Sequence, residues 1–405
     1  MPQGRGTGLW IAGGLAVVAA GAGLFWATSS RRPAGEGASA PTANAAATAD
    51  GEAFGESSTT AELAQAIRAG DARALAAVRS RVVVKEGEPK EPVTDAVVDD
   101  YLELIGAMRA GFLQFQPAGR AATASLAGAM IDRFRVDTVS IRFLEALKPI
   151  HDVFAAALTD VDPEVRFVAL GETAKFWTWV PGRTLSEIDE ARVAEWKDGL
   201  HPAVVRSLAS KDARTRAAAV YSLGFLPIDA AAAPALAHAA DPAVEVRRQV
   251  VISFAARRAL LTEDMLIQSI HDQDQPIREA AFSALKLRGL NQEQISLGVM
   301  MTSPRADQRA SVIALVKDRA DIDPIVWLMR LSHDKDESVR ARAVEALGEQ
   351  KTDDAAVKRR IVEMAQSDAS ELVRQAASKQ MPSVEETTAS LPPLPGSSLL
   401  NPKAN

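Results

Sequence analysis

The chain of 405 residues contains no cysteine, and aromatic residues make up only 5% of it. The absence of cysteine excludes disulfides, cysteine-ligated zinc, thiol catalysis and lipid attachment at a cysteine, but it does not select a cellular compartment. Apolar residues nevertheless form 47% of the sequence, and much of this fraction is alanine. Such a composition suits closely packed short helices, because alanine has the best helix propensity and loses no side-chain entropy on packing.

An excess of positive charge is also missing. The formal net charge is −6 at pH 7, which gives no electrostatic reason to expect nucleic acid or an anionic lipid surface as a partner. The length is sufficient for two or three ordinary domains or for one extended array of repeats.

A long segment without charge lies near the amino terminus, from Gly8 to Thr28. About 20 apolar residues span the hydrocarbon core of a bilayer, and Trp10 and Trp26 lie near the two ends, where indole rings favour the headgroup level. We therefore predict a transmembrane signal-anchor at 8–28 after a short tail at 1–7, with the bulk of this single-pass membrane protein outside the cytoplasm. A cleaved signal peptide is the alternative, although its apolar core usually has only about 7–15 residues.

Two segments lack the apolar residues that a packed core requires. Residues 29–60 are rich in small and polar residues and contain one large apolar residue, Phe54, so we predict a disordered linker. Residues 382–405 are predicted to be a disordered, proline-rich tail. The alternative for this tail is a polyproline ligand within 391–395.

Arginines recur at a fixed interval through the second half of the chain. Five of them follow one another at a spacing of 31 residues, one further copy follows after 34, and one precedes after 50. The gap of 50 equals one period plus an insertion of 19 residues. The arginines are Arg166, Arg216, Arg247, Arg278, Arg309, Arg340 and Arg374. Four equal spacings in succession indicate an internal repeat.

Apolar columns accompany these arginines. Around Arg340, the large apolar residues are Val339, Val344 and Leu347, and the small residue Ala343 lies between them. This i, i+4, i+5, i+8 spacing marks one face of an α-helix. The small column allows a neighbouring helix to approach closely, and the large columns fill the core between copies.

A second helix completes each copy. Thr262 and Asn291 lie just before further helical segments, where N-caps are favoured. Gly224, Gly289 and Gly348 lie where the arginine-bearing helix is expected to stop. The unit is therefore a helix–turn–helix of about 31 residues that buries its apolar faces by stacking on its neighbours.

An aspartate precedes most of the arginines by six positions. These residues are Asp160, Asp241, Asp272, Asp334 and Asp368. Serine takes this place at Ser210 and Ser303. Carboxylate and guanidinium are the natural partners for a paired, charge-assisted hydrogen bond.

The segments Asp160-Val-Asp-Pro-Glu-Val-Arg166 and Asp241-Pro-Ala-Val-Glu-Val-Arg247 resemble the D-x-D-P-x-V-R signature of HEAT repeats, in the short HEAT-like form also called the PBS-lyase-type repeat. The resemblance covers 158–381. It implies an all-α fold, an α-solenoid of stacked helix–turn–helix repeats whose arginine-bearing helices line the inner face. It also implies an inter-repeat ladder of the aspartates and arginines, left open at Ser210 and Ser303. We interpret residues 61–157 as an N-terminal helical region with degenerate repeats, one of which contains Ile141-Arg142.

Pairs of aspartates precede several arginine-bearing helices, at 160/162, 272/274 and 334/336. Their hard oxygen ligands suit a divalent cation, but one carboxylate of each pair lies at a helix N-cap position and the other at the ladder position. None of the five histidines is followed by the glutamate that di-iron enzymes built on HEAT-like repeats use. We therefore predict no catalytic residue, no metal site and no cofactor.

The insertion, at about 177–200, begins with an aromatic cluster that departs from the repeat pattern. Trp177 and Trp179 have two interpretations. They pack the inserted segment against the array, or they form an exposed anchor for a partner protein, since tryptophan is enriched in binding hot spots.

These observations predict a membrane-tethered, non-catalytic scaffold that binds another protein, because a repeat array offers a long surface and needs no catalytic group. One alternative is a HEAT-like enzyme or lyase with its site near 176–200. A second alternative is a nucleic-acid-binding HEAT-like protein, although the residues beside the arginines form no continuous basic stripe.

Overall fold

The structure is a computed structural model that describes residues 54–55, 57–83, 92–136, 142–179, 185–317, 319, 322–350 and 352–381. The predicted membrane segment at 8–28, most of the linker at 29–60 and the tail at 382–405 lie outside the described residues. No helix in the described ranges is long and apolar enough to cross a bilayer. The all-α prediction is confirmed, since these ranges contain helices and loops but no β-strand.

The chain divides into two compact units, 1–254 and 255–405. The helices of unit 1 are α1 (Thr60–Arg68), α2 (Ala72–Val82), α3 (Asp95–Gly111), α4 (Pro117–Val136), α5 (Phe143–Leu158), α6 (Pro163–Thr178), α7 (Glu187–Ser207), α8 (Ala213–Gly224), α9 (Asp229–Ala232) and α10 (Val244–Phe254), with 3-10 helices at Phe112–Gln114 and Ala233–Ala240. The helices of unit 2 are α11 (Glu263–Ser269), α12 (Gln275–Leu287), α13 (Gln292–Met301), α14 (Ala306–Val316), α15 (Pro324–Leu331), α16 (Glu337–Glu349), α17 (Ala355–Ser367) and α18 (Glu371–Ser378).

Unit 1 consists of two helical layers. Helices α2, α4, α6, α8 and α10 pack on one another in this order, and α1, α3, α5 and α7 pack on one another beside them. The first series carries the repeated arginines from α6 onward, and we call it the arginine layer of unit 1. Packing between alternate helices along the chain is the arrangement expected of stacked helix pairs.

Unit 2 repeats the pairing of helices. Its arginine-bearing helices are α12, α14, α16 and α18, and close contacts connect α14 with α16 and α16 with α18. Each also packs on a helix of the other kind, as α16 does on α15 and α18 does on α17. Each unit is therefore a helical-repeat-like assembly.

Aspartates start four of the arginine-bearing helices. The side chain of Asp162 accepts the backbone N–H groups of Glu164 and Val165, and Pro163 occupies the first turn of α6. Asp212, Asp274 and Asp336 cap α8, α12 and α16 in the same way. These side chains satisfy N–H groups that have no partner inside the helix.

The three glycines predicted to end helices have different roles. Gly289 follows α12 with φ +93°, a conformation that favours glycine. Gly224 is the last residue of α8 and Gly348 is the last but one of α16, so both helices end where predicted. Both glycines also lie at close approaches to the following copy. A Cβ on Gly224 would lie 2.8 Å from the Cβ of Ser253, and one on Gly348 would collide with Gln380.

Candidate functional site

An arginine that pairs with the aspartate of the following copy binds in two directions. Nη1 of Arg216 donates to the carbonyl oxygens of Ser210 (2.9 Å) and Lys211 (3.2 Å) in its own loop. Its Nε and Nη2 donate side by side to Asp241, at 2.8 and 2.7 Å. Asp241 Oδ1 also accepts the backbone N–H of Ala243 at 2.9 Å, which orients the carboxylate. One guanidinium thus closes its own loop and holds the next copy, and we call this arrangement a closed rung.

Closed rungs occur in both units. The other pairs are Arg120–Asp160 (2.6 and 3.0 Å), Arg309–Asp334 (2.6 and 2.8 Å) and Arg340–Asp368 (2.9 and 2.8 Å). In each of these pairs neither side chain is more than 15% exposed. Bidentate pairs of this kind combine the stronger charge-assisted bonds with a fixed orientation.

Arg120 on α4 is a rung residue that the sequence pattern did not indicate, because it precedes Asp160 by 40 residues, whereas the other rung arginines precede their aspartates by 25 or 28. Its Nη1 donates to the carbonyl oxygen of Phe115 at 2.8 Å. Arg142, in the predicted degenerate copy, pairs with the exposed Asp99 at 2.7 Å and with Glu145 on its own helix at 3.3 Å.

Two predicted ladder arginines lack this partner. Within the described residues, neither Arg166 nor Arg278 has a hydrogen bond to a carboxylate of the following copy, where Ser210 and Ser303 take the place of aspartate. Arg278 Nη1 still donates to its own loop, at the carbonyl oxygens of Asp272 and the next residue, both at 2.8 Å. Arg166 does the same. We call these two places open positions.

The remaining ladder residues keep their local contacts. Arg247 Nη1 donates to the carbonyl oxygen of Asp241 at 2.9 Å. Arg374 Nη1 donates to that of Asp368 at 2.6 Å, and its Nη2 donates to Glu371 on its own helix at 2.5 Å. Every predicted ladder arginine therefore closes the loop that precedes its helix.

Three of the rung aspartates, Asp160, Asp241 and Asp368, have a pKa below the usual aspartate value. Hydrogen bonds from Arg340 lower the pKa of Asp368 below its usual value, against the opposing effect of burial. Burial alone would raise the pKa of Asp241, but hydrogen bonds from Arg216, His238 and the backbone bring it well below the usual range. The guanidinium groups respond in the opposite direction, and the hydrogen bond to the carboxylate raises the pKa of Arg216.

The paired aspartates do not form ion-binding clusters. In the part of the chain that the structure describes, no group of three or more histidine, aspartate or glutamate side chains is arranged to hold a metal ion. In the pair at 334/336, Asp334 binds Arg309, and Asp336 accepts the backbone N–H of Ser338 at 2.9 Å. These contacts match the interpretation of a rung and a cap.

Trp177 and Trp179, at the start of the insertion, are in the core, with Trp177 only 4% exposed and Trp179 fully buried. Trp177 Nε1 donates to the carbonyl oxygen of Lys197 at 2.9 Å, and Lys197 Nζ donates to that of Trp179 at 2.7 Å. The Trp179 ring packs on Phe143 with 5.4 Å between centroids. The contacts are those of the packing interpretation, and neither indole presents an exposed surface for a partner.

A pocket with a volume of about 470 Å³ opens on the arginine layer of unit 1. We call it the α4/α6/α8 pocket after the helices that form it. It is lined by Ala121, Ala122 and Ser125 of α4, by Val168, Gly171, Glu172 and Lys175 of α6, and by Tyr221 of α8. Its volume falls in the range of small-ligand sites, about 300–1,000 Å³.

A buried carboxylate lies in the wall of this pocket. Glu172 is 7% exposed, and Lys175 Nζ lies 2.8 Å from its Oε2 and 3.0 Å from Oδ2 of Asp132. A Cβ on Gly128 would collide with Glu172 Oε2, so the glycine makes room for the carboxylate between α4 and α6. The ammonium of Lys175 is the ion-pair partner of Glu172 Oε2.

The pocket shifts the pKa values of its ionisable groups. Burial raises the pKa of Glu172, and Lys175 only partly offsets this. Burial would lower the pKa of Lys175, but Glu172 and Asp132 together raise it above its usual value. Burial also raises the pKa of Tyr221, so its hydroxyl keeps its proton at neutral pH. The site therefore combines a retained ammonium and a phenol with a carboxylate that lacks full solvation.

The sequence contained one signal for this site. The residue six positions after a repeated arginine is uncharged in all copies except one, where it is Glu172. The residues at the other copies are Ser222, Ser253, Ala284, Leu315, Ala346 and Gln380. A single acidic residue in an uncharged column marks a copy with a different environment. The pattern did not predict the partners of Glu172, which are Lys175 and Asp132. Asp132 lies on α4, which precedes the helices that the repeated arginines identify.

Comparisons with known proteins place few limits on this chain. No protein-family model matches the sequence, and no curated protein matches it. A solved structure that matches is the crystal structure of an engineered protein from the Northeast Structural Genomics Consortium, with 16% identity and a TM-score of 0.29. The match covers 79% of this chain and 93% of the engineered one. The helical-repeat description therefore rests on the contacts within this chain.

Proposed function

We propose that this chain is a HEAT-like repeat scaffold that binds another protein, without a catalytic role of its own, and that the α4/α6/α8 pocket holds the partner. The observation that carries the proposal is this pocket, where a buried carboxylate lies beside an ammonium on the arginine layer. Stacked helical pairs offer extended surfaces for partner proteins. A pocket with a few polar groups supplies the anchor point that such a surface requires.

The HEAT-like assignment is supported by the closed rungs. They connect successive arginine-bearing helices, as in Arg216–Asp241 and Arg340–Asp368, and each arginine also closes its own loop. The resemblance to HEAT repeats implies such a ladder, with arginine and aspartate pairing between successive repeats.

The absence of cysteine makes the test direct, since one introduced cysteine gives a single attachment point. A photo-crosslinker attached to the Ser125→Cys variant of the full chain should form an adduct with a partner protein in the native membrane fraction. The matched control is Leu113→Cys, at an 82% exposed position in the 3-10 helix after α3. The captured protein is then purified and its affinity for the full chain measured.

Two further variants decide whether the pocket is the point of contact. Ser125→Leu puts a larger side chain into the pocket and should weaken this affinity at least tenfold. Ala129→Leu adds the same volume one turn further along α4, outside the pocket lining, and should leave the affinity unchanged. Equal binding by both variants would place the contact elsewhere, and adducts only from Leu113→Cys would contradict the proposal.

The membrane tether is a second part of the proposal, and it is supported by the uncharged segment 8–28. The repeat units would then lie outside the cytoplasm. A reporter enzyme fused after residue 60, of a type that is active only outside the cytoplasm, should be active and should sediment with membranes. Activity from a reporter that requires the cytoplasm would reverse the orientation.

A further inference from the structure

We propose that the space between helices α12 and α14 in unit 2 binds a segment of a partner protein, through an aspartate or glutamate side chain that pairs with Arg278. We call this space the α12/α14 gap. It is separate from the α4/α6/α8 pocket, and the inference does not depend on the function proposed for that pocket. Two observations carry it, the orientation of the Arg278 guanidinium and the distance between the two helices.

The guanidinium of Arg278 is held in the orientation that binds a carboxylate elsewhere in the chain. Its Nη1 donates to two carbonyl oxygens of its own loop, as Nη1 of Arg309 does at 2.9 and 3.0 Å. In the closed rungs, the other edge of the guanidinium, Nε and Nη2, donates to both oxygens of an aspartate at 2.6–3.0 Å. The closed rungs therefore show how a carboxylate binds an arginine that is held in this way.

The Nε and Nη2 edge of Arg278 has no such partner. Within the residues that the structure describes, Arg278 makes hydrogen bonds to its own loop alone and forms no ion pair. Ser303 takes the place of the aspartate, and its hydroxyl donates to Gln308. Arg278 is half-buried, and its loop bonds already fix the side chain. A group that is ordered before binding loses less entropy when a ligand arrives, which favours binding.

Nearby carboxylates do not replace the missing aspartate. Asp274 caps the first turn of α12. The exposed Glu279 accepts a hydrogen bond from Gln275 at 2.6 Å, and Asp307 pairs with Arg305 at 2.6 Å. A carboxylate for Arg278 therefore has to come from another molecule.

A contact position further along the helices explains why α12 and α14 lie apart. At three other junctions, a glycine eight residues after the rung arginine lies against the sixth residue after the arginine of the next copy, as Gly224 lies against Ser253. At the α12/α14 junction these two positions are Lys286 and Leu315. The distance between packed helices depends on the side chains at the contact, and two long side chains keep these helices apart.

The side chains at this contact position are accessible to a ligand. Leu315 is 47% exposed, and Lys286 extends over the ring of Phe282, with Nζ 5.1 Å from the centroid. Lys286 follows Arg278 by eight residues, about 12 Å along the helix axis. An extended chain covers this distance in about four residues. A segment with an acidic residue and a large apolar residue about four positions apart therefore reaches both Arg278 and Leu315.

The open position at Arg166 lacks such a gap. The two contact positions there are Ala174 and Ser222, which are both buried, and α6 packs closely on α8. Closely packed helices leave less room for the side chain of a partner. The inference is therefore confined to Arg278.

The test screens a displayed library of random linear peptides against the full chain, after removal of the peptides that bind the Arg278→Ala variant. The remaining peptides should share an aspartate or glutamate at one position. A synthetic peptide with this consensus should lose about tenfold or more in affinity when the acidic residue becomes its amide. Arg278→Lys keeps the charge but lacks the two parallel donors, so it should weaken the same peptide severalfold.

Two matched variants separate the pairing with Arg278 from a general effect of charge. Ser303→Asp supplies a competing carboxylate within the chain and should weaken the peptide at least tenfold. Ser210→Asp adds the same charge at the other open position and should leave the affinity unchanged, as should Ser125→Leu in the α4/α6/α8 pocket.

Several results would overturn the inference. They are a consensus without an acidic residue, equal losses of affinity from the two Ser→Asp variants, and full binding by Arg278→Lys. If no peptide distinguishes the unaltered chain from Arg278→Ala, the α12/α14 gap is not a binding site. None of these results bears on the α4/α6/α8 pocket, whose own variants test the proposed function.

Discussion

A closed rung and an open position differ in one side chain, aspartate or serine. The two open positions also differ from each other in how closely their arginine-bearing helices pack. At the open position of Arg166, helices α6 and α8 still pack closely. At the open position of Arg278, helices α12 and α14 do not approach each other closely. The aspartate is therefore not what brings neighbouring arginine-bearing helices together.

One column position differs between the two open positions. Before Arg309 on α14, the column of valine, isoleucine and threonine is interrupted by Gln308, which is exposed. Its Oε1 accepts a hydrogen bond from the hydroxyl of Ser303 at 2.5 Å. The small column is fully buried at both open positions, in Ala169 and Ala219 of α6 and α8 and in Ala281 and Val312 of α12 and α14. The rung therefore adds orientation and a buried ion pair to copies whose small columns are buried with or without it.

The largest expected effect is that of Arg309→Ala, which removes a closed rung. Asp334 would be left as a buried carboxylate without its counter-charge, which costs about 3–5 kcal/mol of unfolding free energy. Urea denaturation followed by circular dichroism measures the loss. Arg342→Ala, at an exposed position on α16, is the control and should change stability by less than about 0.5 kcal/mol. Equal losses in the two variants would remove the distinction between rung and surface arginines.

Acid should weaken the closed rungs next. The folded-state pKa of Asp368 lies below that of the unfolded chain. Its contribution is therefore complete above the ordinary aspartate pKa, about 3.9, and is lost as pH falls through the lower folded value. Asp368→Asn should flatten the decline of stability below about pH 4. Asp353→Asn, at a fully exposed residue, should leave the decline as steep as in the unaltered chain.

A smaller effect is expected for Arg278→Ala at an open position. This arginine donates only to carbonyl oxygens of its own loop, so its removal leaves no buried carboxylate behind. The expected loss is about 1 kcal/mol, and the same denaturation measurement applies. A loss of unfolding free energy as large as that of Arg309→Ala would show that a rung stabilises the fold through the hydrogen bonds to its own loop rather than through the carboxylate.

The smallest effect is expected for Ser303→Asp, which supplies the missing carboxylate. The Ser303 hydroxyl accepts the N–H of Arg305 at 3.2 Å, as the rung aspartates do two residues ahead, so the new side chain keeps that orientation. Desolvation at this buried site offsets most of the gain, and a stabilisation on the order of 0.5 kcal/mol remains. In the Arg278→Ala background the gain should vanish. A gain that persists there would come from some group other than Arg278.

The sequence predicted the parts of the fold that depend on local periodicity. The spacing of the arginines located helices α6, α8, α10, α12, α14, α16 and α18. The aspartate caps of α6, α8, α12 and α16 follow from short-range chemistry. The spacing did not predict the place of Arg120, because a separation of 40 residues hides the copy from any period. Gly224 and Gly348 lie at helix ends as predicted, but their close contacts with the following copy were not predicted, since a sequence shows that Cβ is absent but not which neighbour requires its absence.

The candidate site was harder to predict than the fold for the same reason. The pocket exists because small residues on α4, such as Ala122 and Ser125, face Glu172 on α6 across a helix boundary. Its charges combine Lys175 and Asp132, which are 43 positions apart in the sequence. Only the packing of one copy on another brings them together. The acidic exception in the column of Glu172 was visible, but its partners were not.

The direction of the rungs has a consequence for how such a chain changes length. Each complete copy carries a donor for the copy after it and an acceptor for the copy before it, as Arg340 and Asp334 do within one repeat. A whole copy can therefore be duplicated or deleted and the two new neighbours still present matching groups. The last arginine, Arg374, turns to Glu371 on its own helix. An array that grows by whole copies then needs no new residue types at the contacts between copies. It needs only a last copy whose arginine pairs with a carboxylate of its own helix.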